Sequence, residues 1–146
     1  MARLYAQFGA VVFLIVGLGG SLTGDAGTLL HHQPEGSVGP MALHLTYVRD
    51  VLDLVIGVVL GFAGFRAAGR LAGDIVLTVG VVLLLLAMVG FAHPDNAAAT
   101  RDIAGLHMTT PMNILDAIAG VLGCLCALGD TSSAPAKAPN SSPAKN

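Results

Sequence analysis

Two aspartates, Asp53 and Asp116, stand in long apolar stretches of the chain, and nine residues before them stand His44 and His107. Imidazoles and carboxylates together are ligands for zinc or another first-row divalent ion. A metal site made by His44, Asp53, His107 and Asp116 is therefore one expectation. Its difficulty is geometric. Nine residues along one continuous helix set two side chains about 180° apart, so the segment carrying each histidine must fold back over the helix end.

The other expectation for the same residues is structural. A carboxylate at the centre of a membrane span costs roughly 2.5–3.5 kcal/mol, and less near the ends. Asp53 and Asp116 must then point inward or find partners. Asp50 and Asn113 lie three residues earlier on the same helical faces. Asp50, Asp53, Asn113 and Asp116 thus make a paired polar set able to pin helix register. Arg49, four residues before Asp53, can pair with it, but the matching place in the second stretch holds Met112. A salt bridge is therefore not expected to account for both aspartates.

Other chemistry fares less well. Haem held by His44 and His107 would lie at the surface, whereas membrane haems usually sit between helices. Asp53 and Asp116 suit proton- or ion-coupled transport in type, yet no acidic group marks the middle of a span. Cys124 and Cys126 are two apart, about 200° around a helix, so they cannot grip one ion or bridge to each other. No nucleophile–base pairing, phosphate loop or zinc-protease pattern is visible. No catalytic residue, enzyme activity or cofactor is expected, a divalent ion at the His/Asp set excepted.

The elements that position these residues follow from composition. Of 146 residues 54% are hydrophobic and 11% charged, against roughly 25% charged in an average soluble domain. Mean hydropathy is +0.76. Residues 4–20, 48–65, 75–92 and 111–128 are each long enough to cross a hydrocarbon core of roughly 30 Å. Backbone polar groups must be paired within lipid, so these are helices. The pattern excludes a soluble globular enzyme and a secreted disulfide scaffold, and a net charge of −2 offers nothing to nucleic acid. The N-terminal stretch could be a signal peptide ending near Ala26. An uncleaved helix is the preferred reading, because the third stretch resembles it.

That likeness is part of an internal repeat. Residues 43–58 align with 106–121 at an offset of 63, identical at seven of sixteen positions, among them His44/His107, Thr46/Thr109, Asp53/Asp116 and Gly57/Gly120. Residues 9–20 align with 79–90 at an offset of 70, sharing Val11/Val81, Val12/Val82, Leu14/Leu84 and Gly20/Gly90. Two copies of one helix–loop–helix hairpin, with the same orientation, are implied. Pro111 suits the first helical position, with Thr110 as cap. Asp74 is expected at the start of the third helix, where the dipole favours an acid. Gly57 and Gly61 point to close helix packing.

Around Asp50-Val-Leu-Asp53-Leu-Val-Ile-Gly57 and Asn113-Ile-Leu-Asp116-Ala-Ile-Ala-Gly120 the chain resembles a bacterial family of small four-helix membrane proteins, domain of unknown function 4383. In that family the second helix of each hairpin begins with Asn-x-x-His-x-x-x-Gly after a Phe-Pro-bearing loop. Here Asn113 and both glycines match, Asp50 replaces the first Asn, and aspartates replace the histidines. The Phe-Pro element is missing, although Pro111 lies near its place. The resemblance covers residues 1–128 and implies a fold and a membrane location, with no activity attached.

The expected molecule is all-α, a four-helix transmembrane bundle built from two parallel helical-hairpin repeats. Residues 1–129 form the membrane domain, with repeat one over 1–65 and repeat two over 66–129. Residues 130–146, rich in Ala, Pro and Ser, form a disordered cytoplasmic tail. Arg3, Arg66, Arg70, Lys137 and Lys145 would share one side, so both termini are expected in the cytoplasm and the protein in the inner (plasma) membrane. The loops with His31, His32 and His93 would face outward. The expected role is a structural or accessory membrane subunit in contact with lipid, as a homo-oligomer or within a larger complex. The alternative is an ion- or metal-handling protein.

Overall fold

A computed structural model describes residues 1–23, 37–38, 43–44, 47–92, 102–103, 106–108 and 110–132. Among the described residues four helices carry the fold: α1 (Ala2–Thr23), α2 (Tyr47–Phe65), α3 (Arg70–Ala92) and α4 (Thr110–Ser132). Helix α1 packs along α2 and α3 along α4, and the two hairpins meet through α2 on α3, α1 on α4 and α1 on α3. Of the helix pairs, α2 and α4 approach each other least. Each hairpin also carries a short antiparallel ladder before its second helix. Strand β1 (Ser37–Val38) pairs with β2 (Leu43–His44), and β3 (Asp102–Ile103) with β4 (Leu106–His107).

The buried stripes follow helical periodicity. On α2 it runs through Arg49, Asp53, Ile56, Leu60 and Ala63, and on α3 through Ala72, Val76, Leu83, Ala87 and Gly90. Leu60, Val76 and Leu83 fill the middle, flanked by Ala6 and Ala10 of α1. Alanine and glycine on these stripes let helix backbones approach closely, as association in lipid requires. The opposite faces expose large apolar side chains, among them Ile15, Val58, Phe62, Leu85 and Leu125. Such a belt matches hydrocarbon and not water. Helices α1, α3 and α4 are long and apolar enough to cross a membrane, so this is a membrane protein. Helix α2, expected as an equivalent span, differs in bearing Arg49, Asp50 and Asp53 in its first two turns.

Two boundaries depart from expectation. Helix α3 starts at Arg70 rather than near residue 75, so Asp74 sits a turn inside it, 3.9 Å from Arg70. Apolarity marks where a helix enters lipid, not where its backbone starts to coil. The connection from α2 is only Arg66–Gly69. It closes with the Ala67 N–H donating to the Phe62 carbonyl at 2.9 Å and with Gly69 at φ 56°, a left-handed conformation suited to glycine. Helix α4 runs on to Ser132, past the expected end of the bundle at 129. The Asp130 carboxylate takes hydrogen bonds from the Met1 amine at 2.6 Å and the Ala2 N–H at 2.8 Å. The rest of the expected tail lies outside the described residues.

The hairpins make matching contacts. A Cβ on Gly57 would press on Leu14, and one on Gly120 on Leu84. Gly20 is pressed by the Asp50 carboxyl and Gly90 by the Asn113 amide. Gly61 faces the Ala10 Cβ, as Cys124 faces Gly80. Every pair is related to its counterpart by 70 residues on the first helix and 63 on the second.

Candidate functional site

Where α2 and α4 begin, the residues Arg49, Asp50, Asp53, Asn113 and Asp116 are all buried, at 5% relative exposure or less. Their burial follows from helical spacing: 50, 53 and 57 share one face of α2, and 113, 116 and 120 the same face of α4. Glycines on the partner helices make room. At Gly20 and Gly90 any side chain would occupy the space taken by Asp50 and Asn113.

Arg49 breaks the symmetry. Its guanidinium reaches from α2 to α4 and grips Asp116 with two hydrogen bonds, Nη1 to Oδ2 at 2.8 Å and Nη2 to Oδ1 at 2.5 Å. Its Nε also donates to Asp53 Oδ2 of its own helix at 3.4 Å and lies 3.3 Å from Oδ1. One arginine therefore serves both aspartates, contrary to the expectation from Met112. An i,i+4 comparison looks only along one helix, whereas the guanidinium is long enough to cross between two. Met112, in the place matching Arg49, is buried and apolar.

The two carboxylates are unequally satisfied. Asp116 has the bidentate, charge-assisted geometry that gives the strongest pairs. Asp53 has one long bond, and its Oδ1 accepts no hydrogen bond among the described residues. One guanidinium thus faces two carboxylates in a region of low dielectric, where unpaired charge is expensive.

His44 and His107 of the expected metal set occupy equivalent places in β2 and β4, and β4 lies against α2. Only their backbone belongs to the described structure, and His31, His32 and His93 lie outside it. The structure brings Asp53 and Asp116 together through Arg49. Among the described residues no group of three or more His, Cys, Asp or Glu is placed to hold a metal ion. Cys124 and Cys126 are both free thiols. Tyr5 makes a further polar tie between the hairpins, its hydroxyl donating to the Ala119 carbonyl at 2.8 Å.

Three residues have roles in the cluster that their sequence positions do not spell out. The signal for Gly20 and Gly90 is their identity in the alignment of first helices. For Arg49 as an interhelical bridge there is none beyond its rarity as a charge in an apolar stretch. Comparison with family models, curated proteins and solved structures finds no match to this chain.

Proposed function

We propose that this is a non-enzymatic membrane bundle, a structural or accessory subunit, in which Arg49, Asp53 and Asp116 lock two hairpins into one unit. The observation that carries this reading is the bidentate Arg49–Asp116 pair, which joins the two helices that otherwise approach least. A buried ion pair is a poor source of net stability but a strong selector of one arrangement, since any slip strands charge in lipid. Helix α2 crosses with the others. Its three charges all turn into the bundle, leaving an apolar outer face. With four crossings both termini share one side, and the arginines of that side support a cytoplasmic placement at the plasma membrane. The matching hairpin contacts support descent from one repeated hairpin.

The test is neutralisation. Arg49→Met with Asp53→Asn and Asp116→Asn removes all three charges at once. In the structural reading this variant inserts and folds, and it exchanges hairpin partners more freely when two differently tagged copies are co-expressed as separate halves. Failure of the two wild-type halves to associate would end the reading.

A second reading is favoured by Asp53 Oδ1, which is buried and accepts no hydrogen bond among the described residues. In it, Asp53 takes up a proton or a cation, with His44 and His107 as further ligands for a divalent ion. Metal analysis of gently extracted protein tests it. A stoichiometric ion lost in Asp53→Asn supports ion handling, and its absence from wild type removes the metal.

A further inference from the structure

At the end of the bundle opposite the Arg49 cluster lies a cavity of about 480 Å³ between the start of α1, the start of α3 and the end of α4. Its polar lining is Arg3, Arg70, Asp74 and Asp130, and the remainder is alanine and glycine. We propose that it holds the headgroup of an anionic phospholipid, with the phosphate between Arg3 and Arg70 and an acyl chain leaving along the apolar outer face of the helices.

Position comes first. Arg3 and Arg70 stand in the opening turns of α1 and α3, both of which can cross a membrane. The cavity therefore opens at the level where lipid phosphates lie. Charge comes second. Asp130 is already engaged by the Met1 amine and the Ala2 N–H. Asp74 is held only at 3.9 Å by Arg70, with both side chains largely exposed. The guanidiniums thus retain capacity for an incoming anion, and the start of α3 adds the positive end of its dipole. Shape comes third. A Cβ on Gly69 or Gly73 would meet nothing within 4 Å, so the backbone of the α3 start is open to a ligand. Basic pockets between membrane helices on the cytoplasmic side are suited to anionic headgroups.

Native mass spectrometry of the full chain in mild detergent, with phosphatidylglycerol against phosphatidylcholine, tests the proposal. Wild type should retain phosphatidylglycerol preferentially, and each of Arg3→Gln and Arg70→Gln should weaken retention roughly fivefold, or ~1 kcal/mol per arginine. Gly73→Leu keeps both arginines but fills the cavity, and should also release the lipid while circular dichroism stays unchanged. Equal retention of phosphatidylcholine, or undiminished preference in the double arginine variant or in Gly73→Leu, overturns the proposal. Millimolar inorganic phosphate should not displace the lipid. Displacement would assign the cavity to a free anion instead.

Discussion

Arg49 and Asp116 are 67 positions apart in sequence and on different hairpins, yet they form a two-point pair at 2.8 and 2.5 Å in the interior of the bundle. Asp53, the repeat counterpart of Asp116, receives only the long Nε contact from the same guanidinium. Equivalent places in two similar hairpins have thus become unequal, because a single side chain beside the pseudo-symmetric pair can satisfy one carboxylate well and the other poorly.

The inequality gives unequal outcomes for two like substitutions. Asp116→Asn removes the strong partner and should lower unfolding free energy by about 3 kcal/mol. Asp53→Asn removes the less satisfied charge and should cost less than about 1 kcal/mol. Thermal unfolding in detergent, followed by circular dichroism, separates them. Equal losses would show that the two carboxylates share the arginine evenly.

Arg49→Met leaves two buried carboxylates without their shared cation and should destabilise by about 3–5 kcal/mol. Adding Asp53→Asn and Asp116→Asn should recover most of that loss, because methionine already fills the matching place at Met112. The measurement is the same unfolding experiment on the single and triple variants. A triple variant as weak as Arg49→Met would mean that packing of the arginine stem matters more than its charge.

Gly20→Ala and Gly90→Ala each place a methyl group where the Asp50 carboxyl or the Asn113 amide sits. Overpacking of this kind costs about 1–3 kcal/mol, and the two values should agree closely. Gly19→Ala, with nothing within 4 Å of the added atom, serves as the neutral comparison. Unequal losses at Gly20 and Gly90 would show that the hairpins do not pack alike.

Tyr5→Phe deletes the hydroxyl that reaches from α1 to the Ala119 carbonyl of α4. The expected cost is about 1 kcal/mol, with no change in oligomeric state by size-exclusion chromatography with light scattering. An unchanged melting temperature would place this contact outside the forces that join the hairpins.

The helices were legible in the sequence because lipid imposes length and apolarity, and the hairpin pairing because Leu14/Leu84, Gly57/Gly120 and Asp53/Asp116 recur in register. Two things were not legible. Polar first turns, such as Arg70 to Asp74, carry no hydropathy signal, so α3 begins earlier than its apolar run. The Arg49 bridge depends on how two helices lie side by side, and that distance is not written in the spacing of residues along either one. Met112 in the matching place gives no sign of it, since the one guanidinium on α2 reaches both aspartates.

The most direct test of the central claim is a double-mutant cycle on Arg49→Met and Asp116→Asn, read as unfolding free energy in detergent. A coupling of about 2 kcal/mol or more is expected for a buried, bidentate pair that joins the hairpins. Additive losses, agreeing within about 0.5 kcal/mol, would contradict it and leave the hairpins held by helix packing and the Tyr5 and Asp130 hydrogen bonds.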